Sequence, residues 1–536
     1  MNILGKWGHD RALTCNNFDE RSVKVDELPF RIAAPMKSAR SARCSHTALA
    51  VFLTATTVFF SLTPSGSAKA PVKQPVKVAQ APGTLCPAQL AAPINRSLDR
   101  VSGGRWSVLV QTQGAARQTL FARNPNTLLI PASNNKIFTT AAALKKLGAQ
   151  YRIRTTVYGS GSSPNLATLR IVGHGDPSLT TTQLGAIAQQ LSQRGIRQVT
   201  QLIGDDTYFR GALTNPFWDA EDAGQAYAAP INGLILNQNI IGLTAVPRQV
   251  GQSLQVKWDD PTDANDWRLN NQGVTVSASG GEFLDADRVG STIRVTGQLR
   301  AGSASELIGV AIPNPGNYLV KKFRDMLTSN KIGVTNSTLV KFTPARADEV
   351  ELAAVESPPL SSLLFETNQE SNNTYAEVLL KTLGQKQNPA SQNTTESGTI
   401  AVKSILSDLG VKADRYSMVD GSGLADRNRA SAQAFVETLQ AMTQIPEASV
   451  FRRSLAVSGV SGTLKNRFRN TPAQGIVAAK TGTITGVVAL SGYVTPPNYP
   501  PLVFSVIANS GASAGTVRSS VDDLVILLTR LRSCGG

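Results

Sequence analysis

The segment Pro131-Ala132-Ser133-Asn134-Asn135-Lys136, continuing as Ile137-Phe138-Thr139-Thr140-Ala141-Ala142-Ala143-Leu144, constrains this chain more than any other stretch. Its alanine-rich run predicts a helix with an apolar face, closed by Leu147 and Gly148. Residues three apart share a helix face, which sets Lys136 beside Ser133 at or near the first turn. A serine hydroxyl is a poor nucleophile until a neighbour accepts its proton. A lysine serves when burial or another cation keeps its amine uncharged. The same residues also fit an N-cap serine followed by a surface lysine, so the rest of the chain has to decide.

Residue counts narrow the chemistry. Of His9, His46 and His174, only the last lies beyond residue 70, so a Ser-His-Asp arrangement there would have to use it. Cys86 and Cys534 are the two cysteines beyond that point, and a His/Cys zinc site is not expected. The 536 residues suffice for two to four domains, with the 41% hydrophobic and 17% charged content of a globular protein. The net charge of +16 would suit nucleic acid, anionic lipid or an acidic polymer. No Lys/Arg run is interleaved with aromatics, so no nucleic-acid partner is expected.

In chain order, residues 1–35 are polar and irregular, and read as an over-extended N-terminus. From Met36, the cations Lys37, Arg40 and Arg43 precede the apolar run Ala48 to Leu62 and a small-residue zone ending at Ala70. That is the pattern of a secretory signal peptide, 36–70, with an uncleaved anchor as the other reading. Export permits a disulfide, and Cys86 and Cys534 are expected to pair; two free buried thiols are the alternative. Residues 71–87 read as an extended Pro-rich linker. Next come a helix near Pro87 to Leu98, strands around Trp106 to Val110 and Thr119 to Ala122, and the Ser133 helix.

From about 150 to 345 short β-like runs alternate with Gly, Pro and Asn, between helices near Ser178 to Arg194 and Tyr318 to Ser329. This block, 151–345, reads as a β-rich insertion, with a smaller unit at about 241–300 nested in it. Gly173-His174-Gly175-Asp176-Pro177 reads as a tight turn rather than a phosphate loop. The interrupted core resumes near Ser357, so residues 88–150 and 346–536 are expected to form one α/β unit. It closes with a hairpin of Val477 to Gly482 and Val487 to Val494, a strand at Leu502 to Ala508, and a helix at Val517 to Leu531.

Lys480-Thr481-Gly482 lies on the first strand of that hairpin, where a cation and a hydroxyl suit a peptide carboxylate and the backbone can pair with an extended substrate. Gly482 removes a side chain that would block that approach. Ser371-Asn372-Asn373 precedes a further helix, although Ser-x-Asn also occurs elsewhere in the chain. Ser-x-x-Lys opening a helix, Ser-x-Asn on an interhelical loop and Lys-Thr-Gly on a late strand form, in that order, the penicillin-recognising set.

The chain thus resembles the penicillin-binding proteins, and more closely the class C low-molecular-mass D-alanyl-D-alanine carboxypeptidases and endopeptidases. The stretches Gly173 to Pro177, Gly204-Asp205-Asp206, Tyr227 to Pro230, Asn237 to Asn239, Ser357 to Leu360 and Asp420 to Leu424 add to the likeness. The resemblance spans about 88–530 and implies an α/β (α+β) transpeptidase/β-lactamase-like core, an antiparallel sheet flanked by helices, carrying a large inserted region. It implies that Ser133 attacks the penultimate D-alanine carbonyl of a peptidoglycan stem peptide, Lys136 takes its proton, and Ser371 relays a proton to the leaving amine. Asn373 would hold Lys136 and the substrate amide, and Lys480 and Thr481 the terminal carboxylate or the bond-facing end of a cross-link. Backbone N–H groups of Ser133 and Thr483 would form the oxyanion hole. No cofactor or metal is implied, and β-lactams would acylate Ser133. A serine β-lactamase uses the same motifs and is one alternative; a catalytically silent peptidoglycan-binding protein is another, against which the intact motifs argue. The expected location is exported, periplasmic or in the cell-wall space, with peripheral membrane association left open.

Overall fold

The computed structural model describes residues 83–340 and 348–534. The expected N-terminal extension, the signal segment, linker residues 71–82 and the end of the insertion at 341–345 lie outside them.

A six-stranded, wholly antiparallel sheet runs in the order Ala456–Val457, Val477–Ile484, Val487–Val494, Leu502–Asn509, Arg105–Thr112, Thr119–Arg123. The first long strand of the core therefore pairs with its last, so the two ends of the described chain meet inside one sheet. Its central strands are apolar on both faces. Val108, Val110, Phe504 and Val506 pack under the helices Ala91–Asp99 and Ala514–Thr529. Leu109, Val503 and Ile507 face a second layer of helices on the other side. The alternation at Trp106, Val108 and Val110 reported one of these faces; burial of both makes the strand a nearly continuous apolar run.

In that second layer, the helix Lys136–Leu147 is buried continuously from Lys136 to Leu144. It is the centre of the layer rather than an element with one apolar face, and Ala141, Ala142 and Ala143 are 0% exposed where neighbouring helices approach. Phe138 stacks on Phe435 at 4.4 Å between centroids, and such a burial stabilises by about 1.5–3 kcal/mol. Gly148, at φ 78°, ends the helix.

Between residues 154 and 356 the chain builds further sheets. The strand Arg154–Ser162 leads out and Val350–Glu356 returns antiparallel to it, Arg154 opposite Glu356, so the chain comes back where it left. These two lie together at one side of a mixed five-stranded sheet, with Gly333–Val340, Gln198–Asp205 and Asn165–Val172 mutually parallel. Parallel neighbours need long crossovers, and the helices Thr181–Gln193 and Pro315–Ser329 supply them. Thr180 caps the first, its side chain accepting from Gln183 N.

Two small sheets occupy residues 240–311, and their closing strand Glu306–Ala311, paired with Ile240–Val246, lies past the expected boundary at 300. In Gly173 to Pro177 the first residues are zipped to their neighbours, Gly173 N donating to Asp205 O at 3.3 Å and Gly175 N to Gly233 O at 2.7 Å, and the expected turn comes at the end, Leu179 N donating to Asp176 O at 3.4 Å.

The last residues of the expected linker are tied down as well. Leu85 N donates to Arg530 O, and Arg532 N to Leu85 O. Beside them Cys86 and Cys534 form a disulfide with Cα atoms 5.7 Å apart. Among the described residues no helix is long and apolar enough to cross a membrane.

Candidate active site

Ser133 does not sit on the α-helix. It lies in a 3-10 turn, Ala132–Asn135, that feeds into Lys136–Leu147. Ala132 is left-handed at φ 47°, a cost that only surrounding structure can hold. Two buried amides provide that hold: Asn134 Nδ2 donates to Ser491 Oγ at 2.7 Å in the sheet, and Asn135 Nδ2 to Asp420 O at 2.9 Å in a glycine-rich loop. Ser133 stays half-buried and reachable, while residues on both sides of it are buried.

Lys136 is 0% exposed. Its Nζ lies 3.1 Å from Ser133 Oγ, 2.6 Å from Asn373 Oδ1 and 2.8 Å from Ser422 O. The amide of Asn373 is oriented by its Nδ2, which donates to Tyr227 O at 2.9 Å, so Oδ1 must be the atom facing Lys136. Asn373 Oδ1 and Ser422 O are carbonyl oxygens, which only accept. An uncharged amine has two N–H bonds and one lone pair. In the uncharged form, giving both N–H bonds to these carbonyls leaves the lone pair for Ser133, whose hydroxyl can donate.

Ser371 is left-handed, φ 57°, just before the helix Asn373–Gln387. Asn372 braces this bend, its Nδ2 donating to Gln238 Oε1 at 2.7 Å and its Oδ1 accepting from Tyr375 N at 3.3 Å. Lys480 Nζ donates to Ser371 Oγ at 2.8 Å and to Thr481 O at 2.8 Å. The loop Ser371–Asn373 therefore links Lys136 at one end to Lys480 at the other.

Gly482 is needed for a reason other than substrate clearance. A Cβ there would lie 2.7 Å from Pro131 O and 3.2 Å from Ser133 N, so the strand rides directly on the Ser133 turn. Thr481 Oγ1 donates to Thr463 Oγ1 at 2.8 Å, and half-buried Thr483 follows. The outer neighbour Ala456–Val457 pairs only with Ala478 and Ala479. Among the described residues no strand pairs with the outer edge of Lys480 to Ile484.

Behind the turn, the loop Asp420 to Leu424 packs on the Ser133 segment so tightly that a Cβ on Gly423 would meet Ala132 O at 2.0 Å. The Asp420 carboxylate accepts from Gly423 N, Ala425 N, Asn428 Nδ2 and Trp218 Nε1. Glu377 Oε1 accepts from Gly421 N at 2.9 Å and Ser422 N at 2.8 Å. Burial, followed by the nearby negative charge of Asp420, pushes the Glu377 carboxyl up to about 7. Burial lowers Lys381, one turn further along the helix, to about 8 against the pull of Glu377 and Asp206.

His174 is engaged elsewhere, its Nδ1 at 2.7 Å from Arg154 O and its ring edge-on to Tyr208. The carbonyls of Ser422 and Tyr227, and the side chains of Gln238, Thr463 and Glu377, escaped the sequence reading as site residues. Backbone acceptors leave no residue-type signal. For Glu377, the spacing of four from Asn373 on one helix was the available hint.

Residues 88–531 match the model of the D-Ala-D-Ala carboxypeptidase 3 (S13) family. The chain is 35% identical to the D-alanyl-D-alanine carboxypeptidase of Actinomadura sp. (strain R39), across 79% of this chain and 80% of that protein. It is 27% identical to penicillin-sensitive carboxypeptidase A of Dictyostelium discoideum, across 80% and 88% respectively. The fold is shared with the crystal structure of penicillin binding protein 4 from Haemophilus influenzae, with a TM-score of 0.69, 22% identity, and 81% of this chain covered against 98% of that one.

Proposed function

Since the chain belongs to the D-Ala-D-Ala carboxypeptidase 3 (S13) family, we infer that the Ser133 cleft is where it performs this family's hydrolysis. The protein is a serine-type D-alanyl-D-alanine carboxypeptidase. The observation that carries the site assignment is the contact of Lys136 Nζ with Ser133 Oγ, beside the carbonyl oxygens of Asn373 and Ser422.

In this reading an extended stem peptide lies along the free edge of Lys480 to Ile484, adding a strand to the sheet. Lys480, with Thr481 and Thr483, receives the terminal carboxylate. Ser133 Oγ attacks the penultimate D-alanine carbonyl as its proton passes to Lys136. Developing charge on the carbonyl oxygen is met by the N–H groups of Ser133 and Thr483, where losing one such donor costs about 3 kcal/mol. Ser371, in reach of Lys480, gives its hydroxyl proton to the leaving amine as the C–N bond breaks and D-alanine departs, and receives in turn the proton taken up by Lys136. Water then releases the acyl group from Ser133 Oγ.

A β-lactam ring presents the same acyl carbonyl, so penicillins acylate Ser133. The basic segment and apolar run from Met36 support export, as does the cysteine pair, which belongs in an oxidising compartment.

Labelling with fluorescent penicillin, followed by mapping of the modified residue, tests this. Label is expected on Ser133, none on Ser133→Ala, and almost none on Lys136→Arg, because a guanidinium cannot give up its proton. Rapid acylation of the Lys136→Arg variant would mean the base lies elsewhere.

A further inference from the structure

The helix Asn373–Gln387 carries Asn373, Glu377 and Lys381 at intervals of four, a single stripe beneath the Ser133 turn. Asn373 touches Lys136 directly. Glu377, 2% exposed, touches it through the backbone: its Oε1 holds the N–H groups of Gly421 and Ser422, and the carbonyl of Ser422 is the second acceptor for Lys136 Nζ. Glycines flank Ser422 on both sides, and Gly423 is left-handed at φ 83°, so this peptide has little intrinsic stiffness. The loop also lies against the helix itself, where a Cβ on Gly421 would stand 2.7 Å from Ala376 O.

We propose that Glu377 is a positioning residue for catalysis: by clamping the Gly421 and Ser422 amides it aims the Ser422 carbonyl, and so the lone pair of Lys136, at Ser133. This rests on Lys136 being the base, as read above. One helix then supplies two acceptors of that amine, one by its own side chain and one through the loop it grips. The clamp depends on the reach of an oxygen acceptor rather than on charge. Around Glu377, Asp420 and Lys381 are the charged groups that act on it, with Asp206 beyond Lys381.

Reach and charge can be separated. Glu377→Gln keeps the reach and an oxygen acceptor but loses the charge; Glu377→Asp keeps the charge and withdraws the acceptor by one methylene. The acylation rate constant and the preceding dissociation constant for fluorescent penicillin are measured for both, with a thermal melt to establish folding. Misplacing a reacting group by about 1 Å can cost on the order of 10²-fold. The Asp variant is therefore expected to acylate about 10²-fold more slowly than the wild type, with its dissociation constant little changed. The Gln variant is expected to outpace the Asp variant.

Three results would overturn the proposal: Asp acylating as fast as wild type, Gln as slow as Asp, or a loss confined to the dissociation constant. If one variant melts below the assay temperature, the other still decides by its rate constant against wild type. Failure of the wild type itself to label at Ser133 would instead overturn the reading on which the proposal rests.

Discussion

At single residues, the site depends on atoms that are absent as much as on atoms present. Gly482 lets the Lys480 strand ride on the Ser133 turn, and the methyl of an alanine there would be 2.7 Å from Pro131 O. Backbone must move to relieve that contact. Gly482→Ala should therefore slow penicillin acylation by about 10²-fold, the cost of a small misplacement, while circular dichroism stays that of wild type. Asp176 offers a different kind of test. Ser178 bonds one of its oxygens twice, but burial dominates and raises the carboxyl from 3.8 to about 6. The folded protein thus holds this proton to higher pH than the unfolded chain, and stability falls as pH rises from about 4 through about 6. Asp176→Asn keeps an oxygen for Ser178 and has no proton to lose. Above pH 7 it should melt higher than wild type, by up to ~3 kcal/mol in free energy, and the gap should close as pH falls toward 4. A gap independent of pH would show that Asp176 is not the titrating group.

Whole elements act on the site through the bend at Ser371. The segment Asn237–Asn239, left-handed at all three residues, presents Gln238 to Asn372, and the carbonyl of Tyr227 orients the Asn373 amide. Part of the inserted region is therefore a brace for the loop that joins Lys136 to Lys480. Gln238→Ala removes one hydrogen bond worth about 1 kcal/mol, so acylation should slow about fivefold with little change in melting temperature. A variant that labels at the wild-type rate would show that the bend holds without it. This brace also marks how far sequence reading reaches. Ser133, Lys136, Ser371, Asn373 and Lys480 were legible because each motif needs particular side chains at particular spacings. Two-faced burial made the strands Val487–Val494 and Leu502–Asn509 visible as apolar runs. The mixed sheet of the insertion was not legible as such. Its strands Gln198–Asp205 and Gly333–Val340 carry polar residues throughout, and parallel pairing depends on partners far away in the chain. The 3-10 form of the turn at Ser133 was not legible, because a turn anchored by Asn134 and Asn135 to distant segments has no local signature.

For the molecule as a whole, the decisive contact is between its two ends. The strand Arg105–Thr112 pairs with Leu502–Asn509 along its full length, so the core sheet cannot close until residues almost 400 positions apart have met. The disulfide reinforces that closure from outside, linking Cys86 to Cys534 across a sequence separation of 448. Beside it Leu85 and Leu531 are bridged through the backbone, a second link that holds the same ends in the folded state. The bond's contribution therefore falls on the unfolded chain, whose ends it keeps together. For a loop of this length chain-entropy reasoning gives about 6 kcal/mol as a ceiling, because denatured chains are not random coils. With roughly 2 cal/mol/K of unfolding entropy per residue, the ceiling corresponds to a shift of about 6 °C. The double variant Cys86→Ala/Cys534→Ala should thus melt a few degrees below wild type, and reductant should lower the wild type to match it. Penicillin labelling at 25 °C should not change, because Leu85 and Leu531 pack on the sheet face opposite the Ser133 helix layer. A double variant that melts with the wild type but labels slowly would invert this assignment. It would mean that the closure at the chain ends shapes the cleft rather than the unfolded state.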